Sequence, residues 1–393
     1  MANVSSSNGL EKRPKLRFPG FDEPYKQCHI GDIYAERSQR GASDMELLSV
    51  TMNDGVMPRS EIEGKDNSSE DKSNYKVVLT GDMVYNSMRM WQGANGISPC
   101  NGIVSPAYTV LMPKIPISNG YFAAFFKSPN LINEFRKNSQ GMTSDTWNLK
   151  YPQIETIKVC IPALSEQNRV ADMLGTLERR IAKQAHLVDC LKKYKRGVVK
   201  AILSKRIRFA DDRGNYYPEW SECTLQEVVD FLDGQRKPLE SADRAKRQGK
   251  YPYYGASGII DYIDDYIFDE PLLLLGEDGA NIINRSSPLC FIATGKYWVN
   301  NHAHVMRPRK GQNIKFICEL LESLDYTRYN TGTAQPKLNQ EKCRQIALHL
   351  PTYEEQCHIA EFLSLVEQKS IHAQTELDSL LRTKNALMQQ LFI

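Results

Sequence analysis

Residues 161–203 read IPALSEQNRVADMLGTLERRIAKQAHLVDCLKKYKRGVVKAIL, and residues 350–392 read LPTYEEQCHIAEFLSLVEQKSIHAQTELDSLLRTKNALMQQLF. A constant offset of 189 aligns the two stretches without a gap. Each copy begins with an apolar residue and a proline and continues into a Glu-Gln pair. Identical residues recur at Ala171/Ala360, Leu174/Leu363, Glu178/Glu367, Asp189/Asp378, Leu191/Leu380 and Lys195/Lys384. The two stretches are therefore copies of one segment.

A heptad-like seam runs through both copies, with its positions alternately four and three residues apart. The first seam is Val170, Leu174, Leu177, Ile181, Gln184, Val188, Leu191, Lys195, Val198 and Ile202. The second is Ile359, Leu363, Val366, Ser370, Ala373, Leu377, Leu380, Lys384, Leu387 and Leu391. A period of 3.5 residues kept over about five heptads predicts a long helix that winds round another helix. Pro162 and Pro351 lie just upstream, where proline is tolerated.

Each predicted helix either lies along its own globular domain or pairs with the other copy. A helix of about 40 residues is roughly 60 Å long, whereas a domain of about 145 residues has a radius of gyration near 15 Å. Each helix would therefore overhang its domain and expose its seam. We expect an antiparallel intramolecular pair with a pseudo-twofold axis, in which the seam lysines Lys195 and Lys384 fix the register at some cost in stability.

The duplication extends upstream of the helices, because Lys15-Leu16-Arg17-Phe18 matches Arg206-Ile207-Arg208-Phe209. The repeating unit is thus about half of the chain, far longer than a solenoid module of roughly 20–50 residues. The predicted order is a polar tail (1–14), a globular domain (15–160), a long helix (161–205), a second globular domain (206–349) and a second long helix (350–393).

Short strand-like segments separated by turn residues indicate mixed α and β structure in both globular domains. In the first domain these segments are 76–79, 83–85 and 107–111; in the second they are 272–275, 289–292, 297–299 and 303–306. Strands do not alternate regularly with long helices, which argues against a doubly wound parallel sheet. The predicted fold class is α+β: two mixed domains joined by two long helices that form an antiparallel coiled coil.

Composition limits the class of protein. The chain has 393 residues with 41% hydrophobic residues, enough for an ordinary core in each of two domains. No apolar run is long enough for a membrane span, and the N-terminal residues lack a signal core, so we expect a cytoplasmic protein with no membrane partner. The nine cysteines include no Cys-x-x-Cys pair and are expected to be reduced thiols.

The net charge of +3 is too small to indicate nucleic-acid binding by itself. Two basic clusters stand out: Lys192, Lys193, Lys195, Arg196, Lys200, Lys205, Arg206 and Arg208, and then Arg236, Lys237, Arg244, Lys246, Arg247 and Lys250. Each is either a solvated face or a phosphate-binding surface. The acidic residues Asp261, Asp264, Asp265, Asp269 and Glu270 are expected to face away from any DNA.

Sequence motifs of catalysis are missing. The chain has no phosphate-binding loop, no Gly-x-Ser-x-Gly elbow and no His-Glu-x-x-His motif. Glu63 and Lys65 with Asp54 give only a weak nuclease-like pattern, and His302-x-His304 lacks a third metal ligand nearby. We therefore expect no catalytic residue, no metal and no cofactor.

The arrangement of domain, proline-led Glu-Gln helix, second domain and second helix resembles the specificity subunits of type I restriction-modification enzymes over residues 15–393. Specific motifs lie in the second domain: YGASGII at 254–260, GEDGA at 276–280, WVNNHAHV at 298–305 and GTAQPKLN at 332–339. The first domain keeps looser similarities, including Gly141-Met142-Thr143 and Leu149. This divergence suits a domain that reads a different DNA sequence.

The resemblance implies that each globular domain is a target-recognition domain reading one half of a bipartite double-stranded DNA site. The helix pair would set the spacer and bind two methyltransferase (modification) subunits, which restriction (translocase and nuclease) subunits would join. The chain itself would catalyse nothing. The alternatives are a coiled-coil scaffold without DNA specificity and a stand-alone DNA-modifying enzyme.

Base reading needs side chains with paired donors and acceptors. The candidate DNA-binding residues in the first domain are Arg59, Arg89, Gln92, Asn95 and Thr143. Those in the second domain are Arg236, Lys237, Asn281, Arg285, Asn300, Asn301, His302, Gln335 and Lys337. Each is also compatible with a structural role in a turn.

Overall fold

The computed structural model of the protein describes residues 13–41, 44–52, 54–66, 68–143, 146–332 and 335–393. The predicted polar tail lies outside these residues except for Arg13 and Pro14. The chain divides into two compact units. Unit 1 consists of Met1–His186 with Gln374–Ile393, and unit 2 is Leu187–Ala373.

Unit 1 is built on an antiparallel four-stranded sheet of order β2-β9-β6-β7, accompanied by the strand pairs β1-β10, β3-β4 and β5-β8. Its strands are β1 (Lys26–His29), β2 (Tyr34–Glu36), β3 (Leu48–Thr51), β4 (Gly55–Pro58), β5 (Lys76–Val78), β6 (Met83–Asn86), β7 (Asn95–Ile97), β8 (Gly102–Val104), β9 (Tyr108–Pro113) and β10 (Lys158–Ile161). Its helices are α1 (Ile30–Ile33), α2 (Asn119–Phe125), α3 (Pro129–Asn138), α4 (Tyr151–Ile154) and the first part of α5 (Leu164–Leu203). Aromatic residues of α2 fill its main core.

Unit 2 has a matching sheet, of order β12-β19-β16-β17, and a second sheet of order β14-β13-β18-β15. Its strands are β11 (Ser221–Thr224), β12 (Val229–Phe231), β13 (Gln248–Gly255), β14 (Gly258–Ile263), β15 (Phe268–Asp269), β16 (Leu272–Gly276), β17 (Cys290–Ala293), β18 (Lys296–Val299), β19 (Ala303–Pro308) and β20 (Ala347–Leu350). Its helices are α6 (Leu225–Val228), α7 (Ser241–Lys246), α8 (Asn281–Asn284), α9 (Ile314–Ser323), α10 (Gln340–Arg344), the last part of α5 and the first half of α11 (Tyr353–Leu391). Strand β16 is buried along its whole length.

The predicted α+β fold class with two long helices is confirmed. The predicted strand segments match β5, β6 and β9 in unit 1 and β16, β17, β18 and β19 in unit 2. All twenty seam positions of α5 and α11 are buried or half-buried, and none is exposed. The period of the seam therefore identified the packed face of each helix.

Within each unit the two long helices run antiparallel. In unit 1 the start of α5, at Val170 and Leu174, shares a core with the end of α11 at Met388 and Leu391. In unit 2 the end of α5, at Val198 and Ile202, shares a core with the start of α11, which includes Ile359 and Leu363.

The seam lysines form equivalent ion pairs in the two units. Lys384 Nζ lies 2.8 Å from a carboxylate oxygen of Glu178 in unit 1. Lys195 Nζ lies 3.5 Å from Glu367, the repeat equivalent of Glu178, and 2.8 Å from Glu319 in unit 2. A lysine that meets a carboxylate at one helical position favours a single register, as the sequence predicts.

The repeated Glu-Gln pair has a structural role at the start of each long helix. In unit 1 Gln167 accepts a hydrogen bond from the Ser118 backbone N–H at 3.0 Å and donates one to the Pro162 carbonyl. In unit 2 Gln356 accepts from the Asn313 N–H at 2.9 Å and donates to the Pro351 carbonyl. Ser118 and Asn313 are the N-cap residues of α2 and α9. The glutamine thus fixes the same junction in both units.

Candidate nucleic-acid interface

Four loops of unit 2 meet around the carboxylate of Glu277, which directly follows β16. Arg236 Nη1 donates to Glu277 at 2.8 Å, and Lys337 Nζ lies 3.5 Å from it. The Glu277 backbone N–H donates to the carbonyl of His302 at 2.8 Å. His302 Nδ1 lies 2.9 Å from Asp278. These contacts bring the loops near residues 236, 278, 302 and 337 together, although they are far apart in sequence.

A buried ion pair between His304 and Asp233 stabilises this arrangement of loops. The fully buried His304 contacts Asp233 through Nδ1 and the Leu338 carbonyl through Nε2, both at 2.7 Å. Burial is the largest single effect on the pKa of His304 and acts to lower it, but the hydrogen bonds and charges of Asp233 and Cys343 together outweigh burial and raise the pKa to about 10. Because both partners are acceptors, the imidazole carries two N–H groups and a positive charge. It therefore ties the loop before Leu338 to the 3-10 turn at Asp233.

Five candidate side chains in unit 2 are exposed on these loops. We call this set the unit 2 polar surface; it consists of Lys237, Asn301, His302, Gln335 and Lys337. The Lys237 side chain is exposed, while its carbonyl accepts from the Trp298 indole at 2.6 Å. Residues 333–334 of the predicted GTAQPKLN motif lie outside the described residues. The surface offers amide, imidazole and ammonium groups, which suit hydrogen bonding to base edges and phosphates.

The remaining unit 2 candidates have structural partners. Arg236 donates to the carbonyl of Ala303 at 2.8 Å as well as to Glu277. Asn281 bonds to the backbone of Ser287 through both its amide nitrogen and its oxygen, and so closes the turn after α8. The Arg285 guanidinium lies 2.9 Å from the Glu322 carboxylate. Asn300 is only 5% exposed, and its side-chain oxygen accepts from the His302 N–H.

In unit 1 the structure brings three candidates together. Arg89 and Gln92 are exposed on the turn after β6, and Thr143 is exposed on the loop at 139–148, of which residues 144–145 lie outside the described residues. The indole rings of Trp91 and Trp147 connect the turn to the loop by an edge-on contact with 5.2 Å between centroids. We call these three residues the unit 1 polar surface.

Arg59 and Asn95, the other two candidates in unit 1, do not belong to this surface. Arg59 donates to the carbonyls of Ile62 and Lys65, both at 2.7 Å, and thereby shapes its own loop. Asn95 is fully buried and donates to the carbonyls of Gly93 and Phe126. Its full burial at the start of β7 indicates a packing role.

The same backbone link joins the two loops in each unit. The Leu149 N–H donates to the Ser87 carbonyl at 2.9 Å in unit 1, and the Leu338 N–H donates to the Glu277 carbonyl at 2.7 Å in unit 2. Ser87 and Glu277 follow the equivalent strands β6 and β16. The candidate residues of both units are thus displayed by corresponding loops.

Two acidic residues of unit 2 pair with arginines of the second basic cluster, while the orientation of the acidic residues relative to DNA stays a prediction. Arg244 donates to Asp261 at 3.0 Å, and Arg247 pairs with Asp264 at 2.9 Å. These pairs form because the hairpin β13-β14 folds the acidic segment back towards α7. Among the described residues, the second basic cluster therefore offers mainly Lys237, Lys246 and Lys250 as exposed cations without a carboxylate partner.

In the first basic cluster, Lys195 and Arg208 are engaged by carboxylates, with Arg208 pairing with Glu219. Arg196 and Lys200 remain exposed on α5.

Metal ligands do not converge in the described part of the chain, where no group of three or more His, Cys, Asp or Glu residues is able to hold an ion. His302 and His304 are bound by different carboxylates, those of Asp278 and Asp233. Their spacing in the sequence therefore reflects two separate hydrogen-bonded pairs. Within the same residues, no helix has the length and apolar character needed to cross a membrane.

The model of the type I restriction modification DNA specificity domain matches residues 217–382. The resemblance inferred from the sequence motifs is thereby confirmed for the part of the chain that holds most of unit 2.

Two curated relatives agree with this assignment. A protein of Haemophilus influenzae, provisionally named a type I restriction enzyme specificity subunit, is 32% identical over 145 residues, which are 37% of this chain and 36% of that protein. The chain thus matches about a third of the length of this relative. The type I restriction enzyme MjaVIII specificity subunit of Methanocaldococcus jannaschii is 24% identical over 353 residues, covering 81% of each chain.

The fold has a solved counterpart. The crystal structure of the type I restriction-modification system S subunit from M. genitalium superposes with a TM-score of 0.62, covering 97% of this chain and 99% of the other at 16% identity. This similarity establishes the fold over nearly the whole length of the chain, including unit 1.

Proposed function

We propose that this chain is the sequence-reading subunit of a type I restriction-modification complex, in which each unit recognises one half of a bipartite DNA site. The observation that carries the proposal is the duplicated pair of loops after β6 and β16, joined by the same backbone hydrogen bond but displaying different side chains. Equivalent loops with different donors and acceptors suit two different base sequences. The specificity domain matched in residues 217–382 supports the same role.

The contacts with DNA are assigned to the two polar surfaces. In unit 2 these are Lys237, Asn301, His302, Gln335 and Lys337; in unit 1 they are Arg89, Gln92 and Thr143. Arg59, Asn95, Arg236, Asn281 and Arg285 position these loops or support the fold. Amides and guanidinium groups at exposed loop positions read base edges, whereas the lysines add contacts with phosphates.

The helix pair has a spacing role in this proposal, and the chain itself performs no chemistry. Two recognition domains meet the major groove on one face of B-DNA when their half-sites lie about 34 Å apart, one helical turn. Helices of about 40 residues are long enough to span this distance. Two methyltransferase subunits would dock on the helices, and restriction subunits would then join this complex of the chain with its methyltransferase subunits. Catalysis would belong to those partners.

Methylation mapping tests the proposal. The chain is expressed with the methyltransferase subunit encoded beside it, and methylated bases are mapped across the genome of the host. The expected result is one split motif with two short specified halves. Exchange of residues 206–349, the proposed second target-recognition domain, for another such domain should then change only one half. An assembled complex that methylates no defined motif would contradict the proposal and favour a scaffold.

A further inference from the structure

The hairpin β13-β14 presents an apolar patch that the polar surfaces do not explain. Ile259 and Ile260 are 45% and 53% exposed although they are neighbours in one strand. Successive side chains of a regular strand point to opposite faces. The register shifts between Tyr253 and Tyr254, so that Ile260 is the extra residue of a β-bulge. A bulge re-aims side chains, and here it leaves both isoleucines at the surface.

A glycine brings Ile260 beside an amide group. A Cβ built on Gly255 would lie 3.1 Å from Ile260 Cγ2 and 3.6 Å from Asn300 Nδ2. Because glycine has no side chain, the methyl groups of Ile260 and the Asn300 amide occupy the space over it together. The Asn300 oxygen is already used by the His302 N–H at 2.8 Å. The amide nitrogen is therefore the group that remains to serve a ligand.

The hairpin is continuous with the unit 2 polar surface. A Cβ on Gly276, the last residue of β16, would lie 2.7 Å from the Ala256 carbonyl, so the hairpin turn lies directly against the strand that leads to Glu277. Asn300 directly precedes the surface residues Asn301 and His302. A two-stranded β-ribbon also fits the major groove of B-DNA. These placements favour DNA over a protein as the occupant of the patch.

We propose that this hairpin reads a thymine in the major groove, with Ile260 against the 5-methyl group and Asn300 Nδ2 donating a hydrogen bond to O4. Thymine presents this pair, an acceptor beside a methyl group, on its major-groove edge. Ile259 extends the apolar surface along the same strand. The inference rests on the proposed function and adds the base that unit 2 recognises at one position.

The test removes single methyl groups from the DNA. Duplexes carrying the mapped motif are prepared with uracil in place of each thymine in turn, and their affinities for the complex with the methyltransferase subunit are measured. At one position uracil should weaken binding roughly fourfold, as expected for one buried methyl group. Ile260→Ser should weaken binding to the thymine duplex by a similar factor and should show no further loss with uracil there.

Two further variants separate reading from folding. Ile283→Ser changes another exposed isoleucine of unit 2, 44% exposed against 53% for Ile260, and should retain the full effect of uracil. Asn300→Asp keeps an acceptor for the His302 N–H but removes the donor, so the mapped preference should move from thymine to cytosine, whose N4 amine donates.

The outcomes distinguish the two proposals. Two results overturn the hairpin inference and leave the proposed function in place. In one, a split motif is found but the effect of uracil depends on Ile260 at no position. In the other, neither half of the motif specifies an A·T pair. Absence of any split motif overturns both.

Discussion

The loop before Leu149 in unit 1 rests on an aromatic contact, whereas the corresponding loop before Leu338 in unit 2 rests on a buried ion pair. Trp147 packs edge-on against Trp91 in unit 1. In unit 2 the His304 imidazolium joins Asp233 to the Leu338 carbonyl. Both units keep the backbone link between their loops. The comparison teaches that the duplication preserved the backbone of the loops, while the forces that hold them diverged.

The starts of the two long helices differ in the same way. In unit 1 the buried carboxylate of Glu166 accepts two hydrogen bonds of 2.8 Å from Arg17. In unit 2 the equivalent Glu355 is equally buried, but the side chain that donates to it is the neutral indole of Trp220 at 3.2 Å, and Arg208 acts on it only as a nearby charge. Burial is the main cause that raises the pKa of Glu355 above its ordinary value. One repeated glutamate therefore stabilises one unit and costs stability in the other.

The largest expected effect is that of Glu166→Gln. This change leaves the Arg17 guanidinium largely buried without its carboxylate, and arginine has no means of losing its charge. We expect the free energy of unfolding of unit 1 to fall by about 3 kcal/mol. Hydrogen exchange of the full chain, followed by mass spectrometry of peptides from each unit, measures the loss. A decrease confined to unit 2, or no decrease, would contradict the ion-pair assignment.

Asp233→Asn comes next, with an expected loss of about 2 kcal/mol in unit 2. The loss is smaller because His304, unlike arginine, responds by releasing its proton. In the unchanged chain the pKa of His304 is raised to about 10 from 6.5. The contribution of the charged His304 to the stability of unit 2 is thus complete below about pH 6.5 and is lost as the pH rises through about 10. After correction for the intrinsic rise of amide exchange with pH, protection at residues 335–339 should fall over this range, whereas the corrected protection at residues 146–149 of unit 1, the internal control, should stay unchanged.

The seam lysines provide a paired comparison of intermediate size. Lys195→Met removes a cation that lies near both Glu319 and Glu367, and should cost about 1 kcal/mol. The pKa of Lys127 is lowered mainly by burial and, to a smaller extent, by the positive charge of Lys384. Lys384→Met removes that repulsive charge. Because its Glu178 partner is mostly exposed, an apolar seam residue there should raise stability by about 0.5 kcal/mol. Chemical denaturation of each variant measures both values, and equal changes would refute the difference between the units.

Glu355→Gln has the smallest expected effect and the opposite sign to Glu166→Gln. Because the pKa of Glu355 is raised in the folded chain, protonation favours folding: its contribution is present below the unfolded pKa and is lost as the pH rises through the folded pKa. At neutral pH the neutral amide should therefore stabilise unit 2 by roughly 0.5 kcal/mol or less. Denaturation midpoints of the Glu355→Gln variant, measured between pH 4 and 8, should depend less on pH than those of the unchanged chain. Glu166→Gln serves as the matched control. A loss of stability at pH 7 would show that the carboxylate is needed.

Much of the architecture followed from short-range patterns. The seam from Val170 to Ile202 predicted the packed face of α5, because burial on a helix repeats with its turn. Strand β16 was predicted from its run of leucines. The hairpin β13-β14 was not among the predicted strands: Ile259, Ile260 and Tyr262 are all exposed, and the bulge at Ile260 interrupts the two-residue alternation that indicates a half-buried strand.

The candidate site was predicted less completely. Residue type and expected position in a turn favoured Asn95 and Lys237 equally as DNA contacts, yet Asn95 is buried in β7 and Lys237 is exposed. No local pattern distinguishes them, since burial depends on strands that are distant in the sequence. The pairing of Arg244 with Asp261 was missed for the same reason, because a hairpin turn between them reverses the chain.

The sequence by itself determined the duplication, the two helices and their seam, because these depend on periodicity and on residues compared at one fixed offset. Only the tertiary structure decided which polar groups reach the surface and which carboxylate meets which cation. Those outcomes depend on distances between residues such as Arg236, Glu277 and His302, and the free energy of a charge is set by the partners and the solvent that folding leaves around it.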